Sequence, residues 1–322
     1  MGGAVNAGAG VRRSLGNTGI EVTAVCFGTG PLGNVPEQYG REVVTSEAVA
    51  TVEAVLDSPI RFIDTANCYG QEGAAERRLG EAFRAHGGLP DDIVLATKVD
   101  PDPQTKDFSG RRVQESFEES LERLGIDRVP LLYFHDPERS TFEEATASDG
   151  PVAALVALKD SGRVGFIGVA GGSDASLRPY LDLGVFDVVL SHNRYTLVDR
   201  SAEKLFVDAH DSGIGVVNAA PYGGGFLAKR RQAHGTYGYR EADERVARAA
   251  VGMQAACDRY DVPLAAAALQ FSMRAPFVDS TVVGASAPER VQATLEYAAL
   301  DIPQALMDEL ESLVPPQQSW LG

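Results

Sequence analysis

The sequence alternates short apolar segments with longer segments of helical period, and this alternation constrains the fold more than any other feature. Several of the apolar segments are uninterrupted, as expected when both faces of a parallel sheet are buried. Such an alternation predicts an α/β fold. The predicted strands are residues 24–28, 62–64, 93–98, 129–135, 164–170, 185–190, 214–219 and 281–283. Each is followed by a predicted helix, at residues 46–56, 72–86, 110–124, 151–161, 173–181, 201–210, 262–274 and 288–297.

A closed (β/α)8 barrel, the TIM barrel, agrees with this pattern better than an open doubly wound sheet. Doubly wound dinucleotide-binding folds carry a Gly-x-Gly-x-x-Gly turn that leads from the first strand directly into a helix. The nearest match here, Gly28-Thr29-Gly30, has no helix directly after it. We therefore predict one barrel domain over residues 11–314, with a flexible N-terminal tail at 1–10 and a C-terminal tail at 315–322.

Turn residues near the start of the chain predict a β-hairpin. Residues 12–15 and 20–23 flank Gly16-Asn17-Thr18-Gly19, and the hairpin is expected to close one end of the barrel. Further helices are expected over 241–260 and 303–313. The sequence leaves open whether residues 315–322 fold across the mouth of the barrel or extend away from it.

Two long loops follow the fourth and seventh predicted strands, at residues 136–150 and 221–240. The second loop contains three consecutive glycines and the basic residues Lys229, Arg230 and Arg231. Loops of this length in a compact domain are usually functional, and both lie on the face where (β/α)8 barrels place their active sites. We therefore expect them to shape a binding site.

The formal net charge of −16 argues against nucleic acid and anionic membrane surfaces as partners, because both require a basic patch. The three cysteines are too scattered for a disulfide framework or a metal-ligand spacing, which indicates a reducing compartment and no metal site. No signal peptide or membrane span is evident. We expect a cytoplasmic protein, a monomer or a homodimer, that acts on a small-molecule substrate.

Three successive predicted strands end on ionisable side chains: Asp64, Lys98 and His135. A carboxylate at the end of a core strand requires a cation, and Lys98 on the next strand supplies one. Tyr69 follows Asp64 in a loop closed by a glycine. Because the carboxyl ends of parallel strands meet on one face, the four side chains predict a site there. The alternatives are a structural ion pair, a packing tyrosine and a capped core histidine.

The contexts Asp-Thr-Ala-x-x-Tyr-Gly, Ala-Thr-Lys and Phe-His-Asp resemble the Asp/Tyr/Lys/His tetrad of the aldo-keto reductase family. The likeness covers nearly the whole chain and implies an NAD(P)-dependent oxidoreductase. Tyr69 would then exchange a proton with the substrate oxygen while a hydride moves between the substrate carbon and the nicotinamide. Lys98, held by Asp64, is expected to lower the pKa of Tyr69 from about 10. His135, expected to be neutral, would orient the same oxygen. The neighbouring Cys68 is interpreted as a spacer, since no histidine partner is suggested for it.

The resemblance also implies the cofactor contacts. Pro288 opens a helix whose N-terminus favours an anion, and Arg290 matches the arginine that the family uses there. The usual lysine before this turn is replaced by Gly284, which favours NAD, although Arg290 leaves NADP open. The expected cofactor-binding residues are Gly28, Thr29, Asp64, His192, Ala220, Pro221, Tyr222, Gly223, Gly284, Ala285, Ser286, Arg290 and Thr294.

Three departures from the family pattern point to a substrate class. Ala170-Gly171, His192 and Ala219 replace the usual Ser-Asn pair, glutamine and stacking aromatic. These substitutions resemble the sugar-oxidising branch, the aldose 1-dehydrogenases, which includes L-fucose, D-threo-aldose and L-galactose dehydrogenases and pyridoxal 4-dehydrogenase. The prediction is oxidation of an aldose at C1 to the lactone, with Tyr69, His135, His192 and Asn193 at the substrate.

Alternatives remain open at this point. Within the family they are NADPH-dependent reduction of an aldehyde or ketone, and oxidation of pyridoxal. Outside it, a Schiff-base aldolase would also place a lysine such as Lys98 on a barrel strand. A nucleotide-binding regulatory subunit resembling the β-subunit of potassium channels would keep the barrel with little turnover.

Overall fold

The computed structural model describes residues 8–229 and 235–322. Eight parallel strands close into a barrel, and each strand pairs with its neighbours in chain order until β8 closes against β1. The predicted (β/α)8 barrel is therefore confirmed. The strands are β1 Val25–Gly28, β2 Phe62–Asp64, β3 Val94–Val99, β4 Val129–His135, β5 Val164–Gly171, β6 Val188–His192, β7 Gly215–Ala219 and β8 Ser280–Gly284.

A helix follows each strand and packs outside the barrel. These helices are α1 Thr45–Leu56, α2 Ala74–His86, α3 Gly110–Leu124, α4 Pro151–Asp160, α5 Asp174–Leu181, α6 Glu203–Asp211, α7 Leu264–Arg274 and α8 Pro288–Ala299. Four further helices lie in the connections and near the C-terminus, at Pro36–Tyr39, Phe142–Thr146, Glu244–Arg259 and Gln304–Ser312. Two short strands, Thr236–Tyr237 and Arg240–Glu241, pair within the loop after β7.

The predicted N-terminal hairpin is present and pairs Arg12–Ser14 with Glu21–Thr23. Leu15 is fully buried and joins the cluster of apolar side chains that fills the barrel interior. The backbone N–H of Gly16 donates to Asp279, directly before β8. The hairpin thus closes the end of the barrel where the strands begin, which leaves the opposite end free for a site.

Most element boundaries differ from the sequence-based prediction by one to three residues, and two of the differences have a clear structural cause. The helix expected from residue 72 begins at Ala74, because Glu72 has a left-handed backbone with φ of 51° and lies in a separate 3-10 turn. The strand expected from residue 185 begins at Val188. The preceding Asp187 instead uses its carboxylate to bind Lys159 and the backbone N–H of Ile167.

The long loop after β4 contains a short helix, Phe142–Thr146, whose start is stabilised by a capping box between Thr141 and Glu144. In the loop after β7, Arg230 and Arg231 lie outside the described residues, as do residues 1–7 of the predicted N-terminal tail.

The C-terminal residues pack near the mouth: the backbone N–H of Leu321 donates to Asp199 over 2.7 Å. Among residues 8–229 and 235–322, none of the helices combines the length and the apolar character that crossing a membrane requires.

The helices α2 and α3 touch through their backbones at Gly80. A Cβ atom added at this glycine would lie 2.0 Å from the carbonyl oxygen of Arg123. The contact joins the helices that follow β2 and β3, the two strands that carry Asp64 and Lys98. Close packing at Gly80 therefore holds neighbouring parts of the site in place.

We predict that Gly80→Ala lowers the free energy of unfolding by about 1–3 kcal/mol, because the methyl group forces the two helices apart. The matched control is Gly252→Ala, within helix Glu244–Arg259, where the added Cβ would have its nearest neighbour at 3.6 Å. That substitution should be neutral or stabilise by roughly 0.5–1 kcal/mol, since alanine favours a helix over glycine. Urea denaturation followed by circular dichroism measures both changes, and equal effects would contradict the packing argument.

Candidate active site

The side chains of Asp64 and Lys98 form a buried ion pair at the ends of β2 and β3. The Lys98 Nζ donates to Asp64 Oδ1 over 2.5 Å and to the carbonyl oxygen of Thr65 over 2.6 Å. Lys98 is 1% exposed and Asp64 is 3% exposed. Burial raises the pKa of Asp64 above its ordinary value, although Lys98 opposes the shift. The second carboxylate oxygen of Asp64 is buried and has no hydrogen-bond partner among the residues that the structure describes.

Tyr69 lies in the loop between β2 and α2 and is placed against the ion pair. The Lys98 Nζ is 4.9 Å from the centre of the Tyr69 ring. The expectation that Lys98 lowers the pKa of Tyr69 is wrong for this structure: burial, assisted by the charge of Asp64, raises it well above 10. The loop is fixed by Gly70, since a Cβ atom there would lie 2.0 Å from the carbonyl oxygen of Gly33. The φ of Gly70 is 83°, a left-handed backbone conformation that residues with a side chain rarely adopt.

His135, the last residue of β4, completes the predicted group. Its ring lies edge-on to Tyr69, with 5.9 Å between the ring centres. Its Nδ1 is 2.8 Å from Asp100 Oδ1, and its Nε2 is 3.7 Å from Asp136 Oδ1. Burial opposes a charge on the ring, but Asp100 and Asp136 outweigh it and raise the pKa of His135 well above its usual value. The sequence-based expectation of a neutral His135 is therefore wrong, because it took no account of these carboxylates.

Asp100 is one of the site residues that sequence reasoning missed. It is 1% exposed and directly follows β3. It accepts the backbone N–H of Cys68 over 3.1 Å and lies 3.4 Å from Arg139 Nη1. Burial alone would raise the pKa of Asp100, but the charges of His135 and Arg139 outweigh burial and lower it. The sequence did contain a signal for Asp100. It lies two residues beyond Lys98, so that a second charged side chain is expected at the same end of the strand.

The four predicted residues line one cavity of about 680 Å³ at the mouth of the barrel. The cavity runs from Tyr69 and His135 past β1 and β8 to Arg290 at the start of α8. Its wall contains many residues with little or no side chain, so that a ligand can approach the backbone closely. They include Gly28, Gly30, Ala170, Gly171, Ala219, Ala220, Gly224, Gly225, Gly284, Ser286 and Ala293.

Most of the expected cofactor-binding residues lie in the cavity wall: Gly28, Asp64, His192, Ala220, Pro221, Tyr222, Gly284, Ser286, Arg290 and Thr294. Three others do not line it. Thr29 is fully buried behind β1, and Ala285 is 3% exposed within the apolar core. Gly223 is buried against the ring of Tyr237, at 2.2 Å from the position of an added Cβ. These three support the wall.

Of the expected substrate residues, some line the cavity and one is buried behind its wall. His192 lines the cavity, and burial lowers its pKa to about 4, so that its ring is neutral. Asn193 is 1% exposed and lies behind it, with its side-chain nitrogen 2.9 Å from His192 Nδ1. Tyr239, from the loop after β7, faces His192 with 6.1 Å between ring centres. The sequence did not single out Tyr239, or Tyr39 on the opposite loop, although both line the cavity.

Comparison with known proteins agrees with this architecture. A model of the Aldo/keto reductase family matches residues 24–315. The chain is 34% identical to a D-threo-aldose 1-dehydrogenase of a Pseudomonas species, over 91% of this chain and 94% of that protein. It is 33% identical to L-galactose dehydrogenase of Arabidopsis thaliana, over 94% of each chain. It is 31% identical to pyridoxal 4-dehydrogenase of Microbacterium luteolum, over 94% of this chain and 96% of that one.

The fold has a counterpart among solved structures. An aldo-keto reductase from Bacillus halodurans in its holo form superposes with a TM-score of 0.78, covering 96% of this chain and 98% of that one at 24% identity. A closed parallel barrel with a buried lysine, a tyrosine and a histidine at its mouth defines a class of NAD(P)-dependent oxidoreductases. The chain belongs to the aldo-keto reductase family, as its resemblance in sequence implied. This assignment sets aside the aldolase alternative.

We predict that Lys98→Met lowers the free energy of unfolding by about 3–5 kcal/mol, because it leaves the carboxylate of Asp64 buried without a cation. The matched control is Lys204→Met, which removes an exposed partner of Asp208 and should cost about 0–1 kcal/mol. Adding Asp64→Asn to Lys98→Met should recover part of the loss. Chemical denaturation of the three variants and the wild-type protein measures these differences, and a Lys98→Met variant as stable as the control would contradict the ion-pair argument.

Proposed function

We propose that this enzyme oxidises the anomeric hydroxyl of an aldose to the lactone, with NAD as hydride acceptor and Tyr69 as the group that takes the proton. The observation that carries the proposal is the polar wall beside Tyr69. His135, His192, Asp136 and Arg139 line the same cavity and offer both hydrogen-bond donors and acceptors. A substrate with several hydroxyl groups is the class of molecule that such a wall can satisfy.

Tyr69 and Lys98 would handle the proton. In the oxidation Tyr69 would take the substrate proton as the phenolate, after releasing its own proton to solvent, and the ammonium of Lys98 beside the ring would stabilise that negative charge against the effect of burial. Asp64 and the carbonyl oxygen of Thr65 hold that ammonium in one position.

His135 would orient the substrate. Its Nδ1 is engaged by Asp100, which leaves Nε2 as the ring nitrogen available to a ligand. An N–H at Nε2 can donate to the substrate oxygen and hold it beside Tyr69. Asp100 therefore acts through His135 as a positioning residue. Arg139 and the backbone N–H of Cys68 hold Asp100 in turn.

The residues of the cavity fit a nicotinamide dinucleotide. Gly28 and Gly284 leave the ends of β1 and β8 open to a long ligand, and Arg290 with the N-terminus of α8 favours a phosphate group. A nicotinamide bound in this cavity supplies the hydride acceptor. A Cβ atom at Gly284 would lie 2.9 Å from the side chain of Pro31, so that no cationic side chain fits there without a shift. The absence of that cation supports NAD as the preferred cofactor.

The named activities of similar proteins support the same substrate class. A D-threo-aldose 1-dehydrogenase and an L-galactose dehydrogenase are 34% and 33% identical to this chain, over 91% and 94% of its length. Both names describe oxidation of a sugar. Oxidation of pyridoxal, the activity named for a third relative, is the alternative within the family.

We predict that Tyr69→Phe lowers turnover by about 10²–10⁴-fold, because the proton has no acceptor, while cofactor affinity changes little. The assay follows reduced nicotinamide by absorbance with a panel of aldoses and with NAD and NADP in parallel. Tyr260→Phe, on the exposed surface, is the matched control. Unchanged turnover in Tyr69→Phe would contradict the mechanism. A wild-type enzyme that is inactive with every aldose would favour carbonyl reduction with NADPH or a pyridoxal substrate instead.

We also predict that Arg290→Ala separates the two cofactors. A guanidinium bound to a 2′-phosphate contributes about 1.5–3 kcal/mol, so kcat/KM with NADP should fall by roughly 10–100-fold while the value with NAD changes much less. Arg128→Ala, an exposed arginine before β4, serves as the control. Equal decreases in kcat/KM with NAD and NADP would show that Arg290 does not bind the 2′-phosphate.

A further inference from the structure

Three side chains that could bind a metal ion converge beside the substrate end of the cavity. The ligand atoms of Cys68, Asp100 and His135 all lie within 4.8 Å of one another. Cys68 Sγ is 3.8 Å from His135 Nδ1, and Asp100 Oδ1 is 2.8 Å from the same nitrogen. The residues come from three separate parts of the barrel mouth, and the spacing of the cysteines along the chain does not indicate this cluster.

The geometry is unlike that of a catalytic Cys–His–Asp relay. In a relay the nucleophile and the acid bind different nitrogens of the imidazole, so that a proton can pass through the ring. Here Cys68 and Asp100 both lie against Nδ1. Cys68 Sγ, Asp100 Oδ1 and His135 Nδ1 therefore lie together on one side of the imidazole. Ligand atoms around a bound metal ion are grouped in this way.

We propose that Cys68, Asp100 and His135 form a binding site for a thiophilic divalent cation, of which Zn²⁺ fits best, and that its occupation inhibits the enzyme. Thiolate, imidazole and carboxylate together are typical ligands of zinc, whereas magnesium and calcium prefer oxygen alone. Binding displaces the thiol proton of Cys68 and the proton between His135 and Asp100 into solvent. The regulatory consequence depends on the proposed function, whereas the metal site itself does not.

The distances require little movement. Tetrahedral zinc bonds of about 2.0–2.3 Å place neighbouring ligand atoms about 3.3–3.6 Å apart. The Cys68–His135 separation of 3.8 Å is close to this value, and the His135–Asp100 separation of 2.8 Å must open by about half an ångström. Cys68 is exposed, so that an ion can reach the site from the mouth of the barrel, and a water molecule can complete the coordination.

Two neighbours modulate the site in opposite directions. Asp136 lies 3.7 Å from Nε2 of His135, the side on which metal-binding histidines usually meet a carboxylate. Arg139 lies 3.4 Å from Asp100 and competes with a cation for that carboxylate. The site should therefore bind metal more tightly when the charge of Arg139 is removed.

An ion at this site would interfere with catalysis. It would hold the imidazole of His135, which the proposed mechanism uses to orient the substrate, and would remove Asp100 from its present contact with that ring. Cys68 immediately precedes Tyr69 in the chain, so that a metal bound to Cys68 would also lie beside the group that exchanges the proton.

Binding is tested first without any substrate. Co²⁺ added to the metal-free full-length enzyme should give a thiolate-to-cobalt absorption band in the near ultraviolet that saturates at one equivalent, and Zn²⁺ should displace it. Cys68→Ala should abolish the band and weaken Zn²⁺ binding, measured by calorimetry, by at least about tenfold. Cys257→Ala, in helix Glu244–Arg259, is the matched control and should keep the band. Arg139→Gln should tighten binding.

A second ligand variant guards against a folding defect. Asp100→Asn should keep the cobalt–thiolate band but weaken Zn²⁺ binding, and thermal melts of each variant show whether it is folded. Absence of a thiolate band in the wild-type enzyme, or Zn²⁺ binding that is unaffected by Cys68→Ala, would overturn the proposal. Either result stands whether or not the aldose assay detects turnover.

The inhibitory effect is tested with whichever substrate the enzyme turns over. Zn²⁺ should inhibit the wild-type and Cys257→Ala enzymes reversibly, with full recovery on addition of a chelator. Cys68→Ala should be at least tenfold less sensitive to Zn²⁺. Metal binding without inhibition would disprove the regulatory part and leave the dehydrogenase mechanism intact, whereas equal inhibition of Cys68→Ala would place the inhibitory metal elsewhere.

Discussion

Two opposite charges, Asp64 and Lys98, are buried side by side at the top of the barrel, and the rest of the site is arranged around them. Taking two ions out of water costs several kcal/mol for each, and only close contact and additional hydrogen bonds can offset that cost. The contact exists because β2 and β3 are parallel neighbours in one register, with Asp64 opposite Ala96. A slip of one residue would turn one of the charges to the outside of the barrel.

The same alternation explains why the sequence predicted this part of the site. Phe62, Ala96 and Leu131 fill the barrel interior. Side chains of a strand alternate between its faces, so that Asp64, two residues beyond Phe62, and Lys98, two beyond Ala96, point to the same side. His135 follows Leu131 at twice that interval. The period and the ends of a strand can be predicted from its own short segment of sequence. For this reason the sequence predicted that Asp64, Lys98 and His135 lie together, although they come from distant segments.

What the sequence could not provide lies in the connections. Asp100 is two residues beyond Lys98 and so continues the period of β3, but its contacts with His135 and Arg139 depend on how the chain turns in the loops. Arg139 and Tyr39 sit in short helical turns of the loops, whose conformation is set by packing against the barrel mouth. The error about the pKa of Tyr69 has the same origin. The sequence showed a lysine nearby but not that the ring is enclosed, and enclosure decides the direction of the shift.

Charge is organised differently in the cavity and over the whole chain. The formal net charge is −16, yet the cavity wall that the structure describes carries more basic than acidic residues: Arg41, Lys98, Arg139, Lys229 and Arg290 against Asp64 and Asp136. A low-dielectric cleft concentrates the field of its own charges, so that an anionic ligand responds to this local excess more than to the distant acids. The acidic surface argues against long polyanions, which would have to lie along it. A single dinucleotide can reach the cavity, and in the same local field the proposed divalent cation would depend on the thiolate of Cys68 and the carboxylate of Asp100.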